Sequence, residues 1–170
     1  EISLGLVGSE MCIRDRPVPG RHNVHNAVAA AALALAAGLS LAEVSDGLKN
    51  FSNIKGRLNI KQGIKGATLI DDTYNANPDS MKAAIDVLAA MPAPRIFVMG
   101  DMGELGEDEA AAMHAEVGAY ARDKGIEAAY FVGDNSVEAA ETFGAEGLWF
   151  ADKDPLIQVL SHDLPERATV

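Results

Sequence analysis

Five basic side chains lie between residues 47 and 70, a stretch without any acidic residue, and they are Lys49, Lys55, Arg57, Lys61 and Lys65. The 170-residue chain as a whole carries a net charge of −11, so this basic interval could attract a small polyanion such as a nucleotide. Arg57 lies in a Gly-Arg turn, where its planar guanidinium could hold phosphate oxygens through two parallel hydrogen bonds. An ordinary solvated surface is the favoured interpretation of Lys49, Lys61 and Lys65.

Acidic residues form a second, separate pattern. Asp72 follows a short apolar run that predicts a strand, and open α/β sheets place ligands at the carboxyl ends of strands. A residue in an ordinary turn is the alternative interpretation of Asp72. Five acidic residues and no basic one lie between residues 101 and 109, and His114 follows on a predicted helix. A helical histidine is more often structural than catalytic.

Composition excludes several classes of protein. The acidic balance of 14 basic and 25 acidic residues argues against a surface built for non-specific binding of nucleic acid or anionic membrane. No apolar run approaches the roughly 18 residues of a membrane span. A chain of 170 residues is long enough to bury about 70% of its unfolded surface, so it needs no disulfide bonds to stabilise a core.

Residues 6–16 read LVGSEMCIRDR. This run resembles one translated reading frame of transposon-type sequencing-adapter DNA, and we expect residues 1–16 to be foreign to the protein. A genuine amphipathic segment is the alternative. Cys12 is the one cysteine of the chain, so without this run disulfide scaffolds, cysteine nucleophiles and thiolate metal sites are excluded. We expect the natural protein to extend upstream of Pro17 and beyond Val170.

Periodicity predicts helices and strands that alternate. An apolar helix over 23–37, expected to be buried on most faces, is followed by a second helix that begins with a capping box at Ser40. A domain boundary is expected near the loop at 53–57, and a β-hairpin follows it. Further helices are predicted from Pro78 and over 108–124, 136–142 and 155–160, with strands over 95–99, 128–132, 148–151 and 168–170. This order is typical of a doubly wound α/β fold with a mostly parallel sheet.

Four motifs occur in order, namely GRHNVHNAVAA at 20–30, Gly-Arg at 56–57, DDTYNANPDS at 71–80 and GDMGELG at 100–106. In this combination the chain, from residue 17 to residue 170, resembles the Mur ligase family of peptidoglycan synthesis. The last two motifs, with His114 downstream, resemble the members that add D-alanyl-D-alanine to UDP-N-acetylmuramoyl-tripeptide. The resemblance implies a Rossmann-like C-terminal Mur ligase domain (57–170, truncated at its end), preceded by helices from the end of the central ATP-binding domain (17–56).

The resemblance also implies roles for individual residues. Asn26 would contact the adenine of ATP, whose edge suits an amide that both donates and accepts, although a helix-start residue is the alternative. Asn77 is equally well explained as the N-cap of the helix at Pro78. The other expected contacts are Arg57 with the ATP phosphates, Asp72 with the ribose hydroxyls, Tyr74, Asn75 and Asn77 on a nucleotide- and substrate-facing loop, and Asp101 and Glu104 with the amino group of the incoming dipeptide. A solvated acidic loop is the alternative for that last pair.

The implied activity is ATP-dependent amide ligation through an acyl phosphate, with Mg²⁺ as a second cofactor. The sequence has no G-x-x-x-x-G-K-[ST] loop to hold the phosphates, so we expect the catalytic residues and metal ligands to lie upstream and the fragment alone to be inactive. The expected protein is a monomer of the bacterial cytoplasm that binds neither nucleic acid nor membrane. Another Mur-type amino-acid ligase and a non-catalytic Rossmann-like nucleotide-binding module are the alternatives.

Overall fold

The computed structural model describes residues 20–52 and 54–170 of the chain. The adapter-like run at 6–16 therefore lies outside the described residues. Within them, helices and strands alternate from residue 59 onward, as the sequence predicts.

Two helices open the described chain, α1 (Arg21–Ala36) and α2 (Leu41–Lys49). Gly38 ends α1 in a left-handed conformation, with φ of 96°, as glycines after helices commonly do. The predicted capping box of α2 is confirmed, because the Ser40 hydroxyl accepts from the Glu43 amide while the Glu43 carboxylate accepts from the Ser40 amide.

The predicted burial of α1 on most faces is wrong for this structure. Ala27 is the one buried side chain among those described in this helix, and Leu33 is 73% exposed. A helix that is apolar all round needs neighbours on every side, whereas α1 here packs mainly against α2. Its remaining apolar surface faces solvent.

A β-hairpin follows the boundary loop and confirms the prediction. Strands β1 (Asn59–Gln62) and β2 (Thr68–Asp71) pair antiparallel, with Asn59 opposite Asp71. A short 3₁₀ turn connects them.

The larger sheet is parallel and has three strands in the order β3 (Ile96–Gly100), β4 (Ala128–Val132) and β5 (Gly147–Phe150). The helices around it are α3 (Pro78–Ala89), α4 (Glu107–Asp123), α5 (Ser136–Phe143) and α6 (Lys153–Asp163). All of these elements were predicted, with bounds that differ by at most three residues.

Residues 168–170 join the hairpin to the parallel sheet. The sequence predicts a strand here, and the structure has instead two isolated parallel bridges, from Thr169 to Thr68 and to Arg95. The Thr68 amide donates to the Ala168 carbonyl and the Ile96 amide to the Thr169 carbonyl, both at 2.8 Å. The segment thus lies between β2 and β3.

Apolar side chains cover both faces of the parallel sheet, as a doubly wound fold requires. On one face Phe97, Met99 and Phe131 pack with α3, α4 and α5. On the other face Ile96 and Tyr130 pack with Leu156 of α6, Leu164 and Ala168. The α/β prediction is confirmed.

Candidate functional site

A cavity of about 480 Å³ lies between α1, the boundary loop, the end of β2 and the start of α3. Three predicted site residues line it, namely Asn26 from α1, Arg57 from the boundary loop and Asp72 from the loop after β2. These residues are separated by up to 46 positions in the sequence. The fold therefore brings an amide, a guanidinium and a carboxylate to one cavity.

Asp72 stands at the carboxyl end of β2 and is partly buried. Its Oδ1 accepts a hydrogen bond from the Leu58 amide at 3.1 Å. Burial raises the pKa of the Asp72 carboxyl, while this hydrogen bond and the charges of Arg57 and His22 act to lower it. Asp72 therefore anchors the boundary loop as well as facing the cavity.

Arg57 lies against the ring of Tyr74. The guanidinium carbon is 4.2 Å from the centroid of the ring, well within the range of a cation–π contact. Tyr74 is 63% exposed and is not among the residues that line the cavity. The structure thus places Tyr74 beside the site, in contact with one of its members.

Asn75 and Asn77 lie farther from this cavity and do not line it. The Asn77 side chain accepts from the Ser80 amide at 2.9 Å and forms the N-terminal capping box of α3, which confirms the predicted cap. The Asn75 side-chain oxygen accepts from the amide of Ala76. Asn75 borders a second cavity, of about 350 Å³, between β2 and β3.

Asp101, after β3, is engaged with the start of α5. Its carboxylate accepts hydrogen bonds from the amides of Asn135 and Ser136 and from the Ser136 hydroxyl, at 3.2, 2.9 and 2.7 Å. A carboxylate at a helix N-terminus satisfies amides that have no partner within the helix. Glu104, by contrast, is exposed on the same loop, with φ of 60°.

His114 of α4 is completely buried. Its Nε2 accepts from the Met102 amide at 2.9 Å, and its Nδ1 lies 2.7 Å from the Ala110 carbonyl oxygen, to which an N–H at this position donates. The neutral tautomer with hydrogen on Nδ1 satisfies both contacts. This arrangement agrees with the structural interpretation of His114, which ties the loop after β3 to α4.

Sequence reasoning missed part of the cavity wall. His22, Phe51, Ile54 and Ser80 also line it. His22 belongs to the motif at 20–30, and Phe51 continues, beyond the end of α2, the helical spacing of the apolar residues Val44 and Leu48. That continuation was the signal that could have identified the apolar side of the cavity.

The described residues contain no group of three or more His, Cys, Asp or Glu side chains able to hold a metal ion. A search of the same residues found no helix with the length and apolar character of a membrane span.

Comparison with known proteins gives a consistent result. The profile of the Mur ligase, glutamate ligase domain matches residues 56–170. The UDP-N-acetylmuramoyl-tripeptide--D-alanyl-D-alanine ligase of Escherichia coli K12 is 44% identical over 154 residues, which cover 91% of this chain and 34% of that protein. The ligase of the same name from Haemophilus influenzae is 44% identical over 144 residues, which cover 85% of this chain and 31% of that protein.

Among solved structures, that of MurF from Acinetobacter baumannii has a TM-score of 0.79 and 38% sequence identity, over 90% of this chain and 34% of that one. The chain therefore spans about a third of the length of the relatives it matches. The family profile begins at Gly56, near the end of the boundary loop, and covers both sheets and the helices between them. On this combined similarity of sequence and fold, the chain belongs to the Mur ligase family.

Proposed function

We propose that this chain is the nucleotide-contacting and C-terminal part of an ATP-dependent ligase that adds D-alanyl-D-alanine to UDP-N-acetylmuramoyl-tripeptide. The 44% identity to two ligases of that name supports this choice over another Mur-type ligase. The observation that carries the proposal is the single cavity shared by Asn26, Arg57 and Asp72. Its volume of about 480 Å³ falls within the usual range of small-molecule sites.

The chemistry of the three side chains fits a nucleoside triphosphate. The Asn26 amide can both donate to and accept from an adenine edge, and the Asp72 carboxylate can accept hydrogen bonds from ribose hydroxyls. Arg57 offers a planar cation to the phosphates. Tyr74, Asn75 and Asn77 complete the proposed loop beside the nucleotide.

The proposed reaction has two steps. A carboxylate oxygen of the tripeptide takes the γ-phosphoryl group of ATP and ADP leaves; the dipeptide amine then attacks the acyl carbon, loses a proton and expels phosphate. Mg²⁺ would offset the phosphate charge in the first step. We propose that the metal ligands and the catalytic residues lie in other parts of the complete protein; the absence of a G-x-x-x-x-G-K-[ST] loop in the sequence and of a metal-binding group of side chains among the described residues supports this proposal.

For the dipeptide, we propose the acidic loop of Asp101 and Glu104 as the facing surface, with a different role for each residue. The exposed Glu104 carboxylate pairs with the dipeptide amine. Asp101 already accepts three hydrogen bonds at the start of α5, which supports a role in holding the loop that carries Glu104.

The proposed organisation assigns residues 17–56 to the end of the central ATP-binding domain and residues 57–170 to the C-terminal domain. The start of the family match at residue 56 supports this boundary. We propose further that residues 1–16 are foreign to the protein, and that the complete enzyme is a cytoplasmic monomer. Light scattering of the purified protein tests the oligomeric state.

The first experiment is to sequence the source locus upstream of the codon for Pro17 and to purify the complete product. An in-frame glycine-rich phosphate-binding loop that ends in G-K-[ST], together with ATP-dependent ligation of D-alanyl-D-alanine, is the expected result. Ligation of a single amino acid in place of the dipeptide would favour another Mur-type ligase. A complete gene without the phosphate-binding loop would favour a non-catalytic nucleotide-binding module.

A further inference from the structure

The boundary loop and the loop after β2 are joined by backbone hydrogen bonds around Arg57. The Tyr74 amide donates to the Gly56 carbonyl at 3.0 Å, and the Leu58 amide donates to Asp72 Oδ1 at 3.1 Å. Both neighbours of Arg57 in the chain are therefore fixed to the loop that carries Tyr74. The position of the arginine backbone relative to the tyrosine follows from these two bonds.

Gly56 permits this close approach. Its φ is 75°, and a Cβ added at this position would stand 3.0 Å from the Tyr74 backbone nitrogen. A larger residue would be strained by both the backbone conformation and the contact. The glycine thus allows the two loops to lie side by side.

The contact between Arg57 and Tyr74 uses the face of the guanidinium, with 4.2 Å between its carbon and the ring centroid. The N–H groups of a guanidinium lie in its plane, so a ring on its face does not take the place of hydrogen-bond acceptors. Most of the Tyr74 side chain is exposed. Core packing therefore does not account for the tyrosine.

We propose that Tyr74 is a positioning residue, which holds the Arg57 guanidinium ready for the phosphates of the nucleotide and acts through Arg57 alone. The inference rests on the proposed function and changes the expected role of Tyr74, from a direct nucleotide contact to a support for one.

The test compares Tyr74→Phe, which keeps an aromatic face, with Tyr74→Leu, which keeps apolar bulk without one. Calorimetry on the complete protein measures the dissociation constant of AMP-PNP, a non-hydrolysable ATP analogue. We expect the Phe variant to match wild type and the Leu variant to bind about two- to fivefold more weakly, as the loss of an exposed cation–π contact implies. In the Arg57→Ala background, Tyr74→Leu should have no further effect.

Steady-state assays add a readout that a general structural defect would not give. The KM for ATP should rise in the Leu variant, while kcat and the KM for D-alanyl-D-alanine stay unchanged. Equal AMP-PNP affinities of the Phe and Leu variants would overturn the inference and leave the proposed function standing. The same would follow if Tyr74→Leu kept its full effect in the Arg57→Ala background. A wild-type protein that does not bind AMP-PNP would overturn the proposed function and the inference together.

Discussion

Substitution of Asp72 should separate its structural contact from its role in the nucleotide site. Asp72 accepts a hydrogen bond from the backbone amide of Leu58. Leu58 is buried and has φ of 49°, a conformation that costs a non-glycine residue about 1 kcal/mol or more. Asp72→Ala removes the acceptor for this amide, whereas Asp72→Asn retains an oxygen at the same position. Both variants remove the carboxylate proposed to bind ribose.

A hydrogen bond to a charged group contributes about 1.5–3 kcal/mol. Burial of the Asp72 carboxylate, which raises its pKa, offsets part of that contribution. We therefore expect Asp72→Ala to lower the free energy of unfolding by about 1.5 kcal/mol, or Tm by about 3–6 °C for a chain of this size. The Asn variant should stay close to wild type at pH 7.

Thermal unfolding followed by circular dichroism measures these differences, and the KM for ATP in the complete enzyme should rise in both variants. The raised pKa means that folding favours the protonated carboxyl, so this protonation-linked part of the stability is complete below the ordinary value of 3.8 and is lost as the pH rises through the folded-state value, while the hydrogen bond to the Leu58 amide remains. The Asn variant should therefore gain stability relative to wild type as the pH rises above 3.8. Equal melting temperatures of the Ala and Asn variants would refute the structural role of the Asp72 side-chain oxygen as the acceptor for the Leu58 amide.

Four other substitutions test packing and charge, three of them in the C-terminal region and one, Gly47→Ala, in α2. His114→Phe leaves the buried Met102 amide without an acceptor and removes the side-chain hydrogen bond to the Ala110 carbonyl, which keeps its bond within the helix, and it should lower the free energy of unfolding by about 1–3 kcal/mol in urea titrations; a loss under 1 kcal/mol would contradict the hydrogen-bond assignment. Gly118→Ala places a methyl group against a carbonyl of α5, whereas Gly47→Ala meets nothing, so the first should destabilise by about 1–3 kcal/mol and the second stabilise by up to about 1 kcal/mol. Similar changes in the free energy of unfolding for Gly118→Ala and Gly47→Ala would show that helix propensity dominates over the contact with α5. Arg95 lowers the pKa of Glu127 mainly through their side-chain hydrogen bond, and this stabilisation, present above the ordinary pKa of 4.5, is lost as the pH falls. Glu127→Gln should therefore reduce the loss of unfolding free energy as the pH falls. The same pH dependence in the variant and the wild type would exclude this pair as a contributor to acid unfolding.

The sequence predicts most of the elements because their signals are local. The capping box at Ser40 and the N-cap at Asn77 are short-range hydrogen-bond patterns, and both form as predicted. The exposure of α1 could not be predicted in this way, because burial depends on which other elements surround a helix. The bridges of Thr169 depend on partners 101 and 74 residues away and are equally hard to derive from a local pattern.

In the candidate site, too, local sequence patterns predicted some features and tertiary contacts determined the others. Residue types and motifs identified Asn26, Arg57 and Asp72, and the structure places them on one cavity. The stacking of Arg57 on Tyr74 and the engagement of Asp101 with α5 arise from tertiary contacts between separate loops. Neither spacing nor composition carries information about such contacts.

The bridges of Thr169 have a consequence for the order in which the domain assembles during synthesis. Its partner Thr68 is made about 100 residues earlier, and at about 5–20 residues per second this interval lasts roughly 5–20 s. The hairpin can close as soon as β2 leaves the ribosome, but its outer edge stays unpaired for that time. Final joining of the two sheets is therefore a late event, and during this interval the β2 edge is exposed to incorrect pairing.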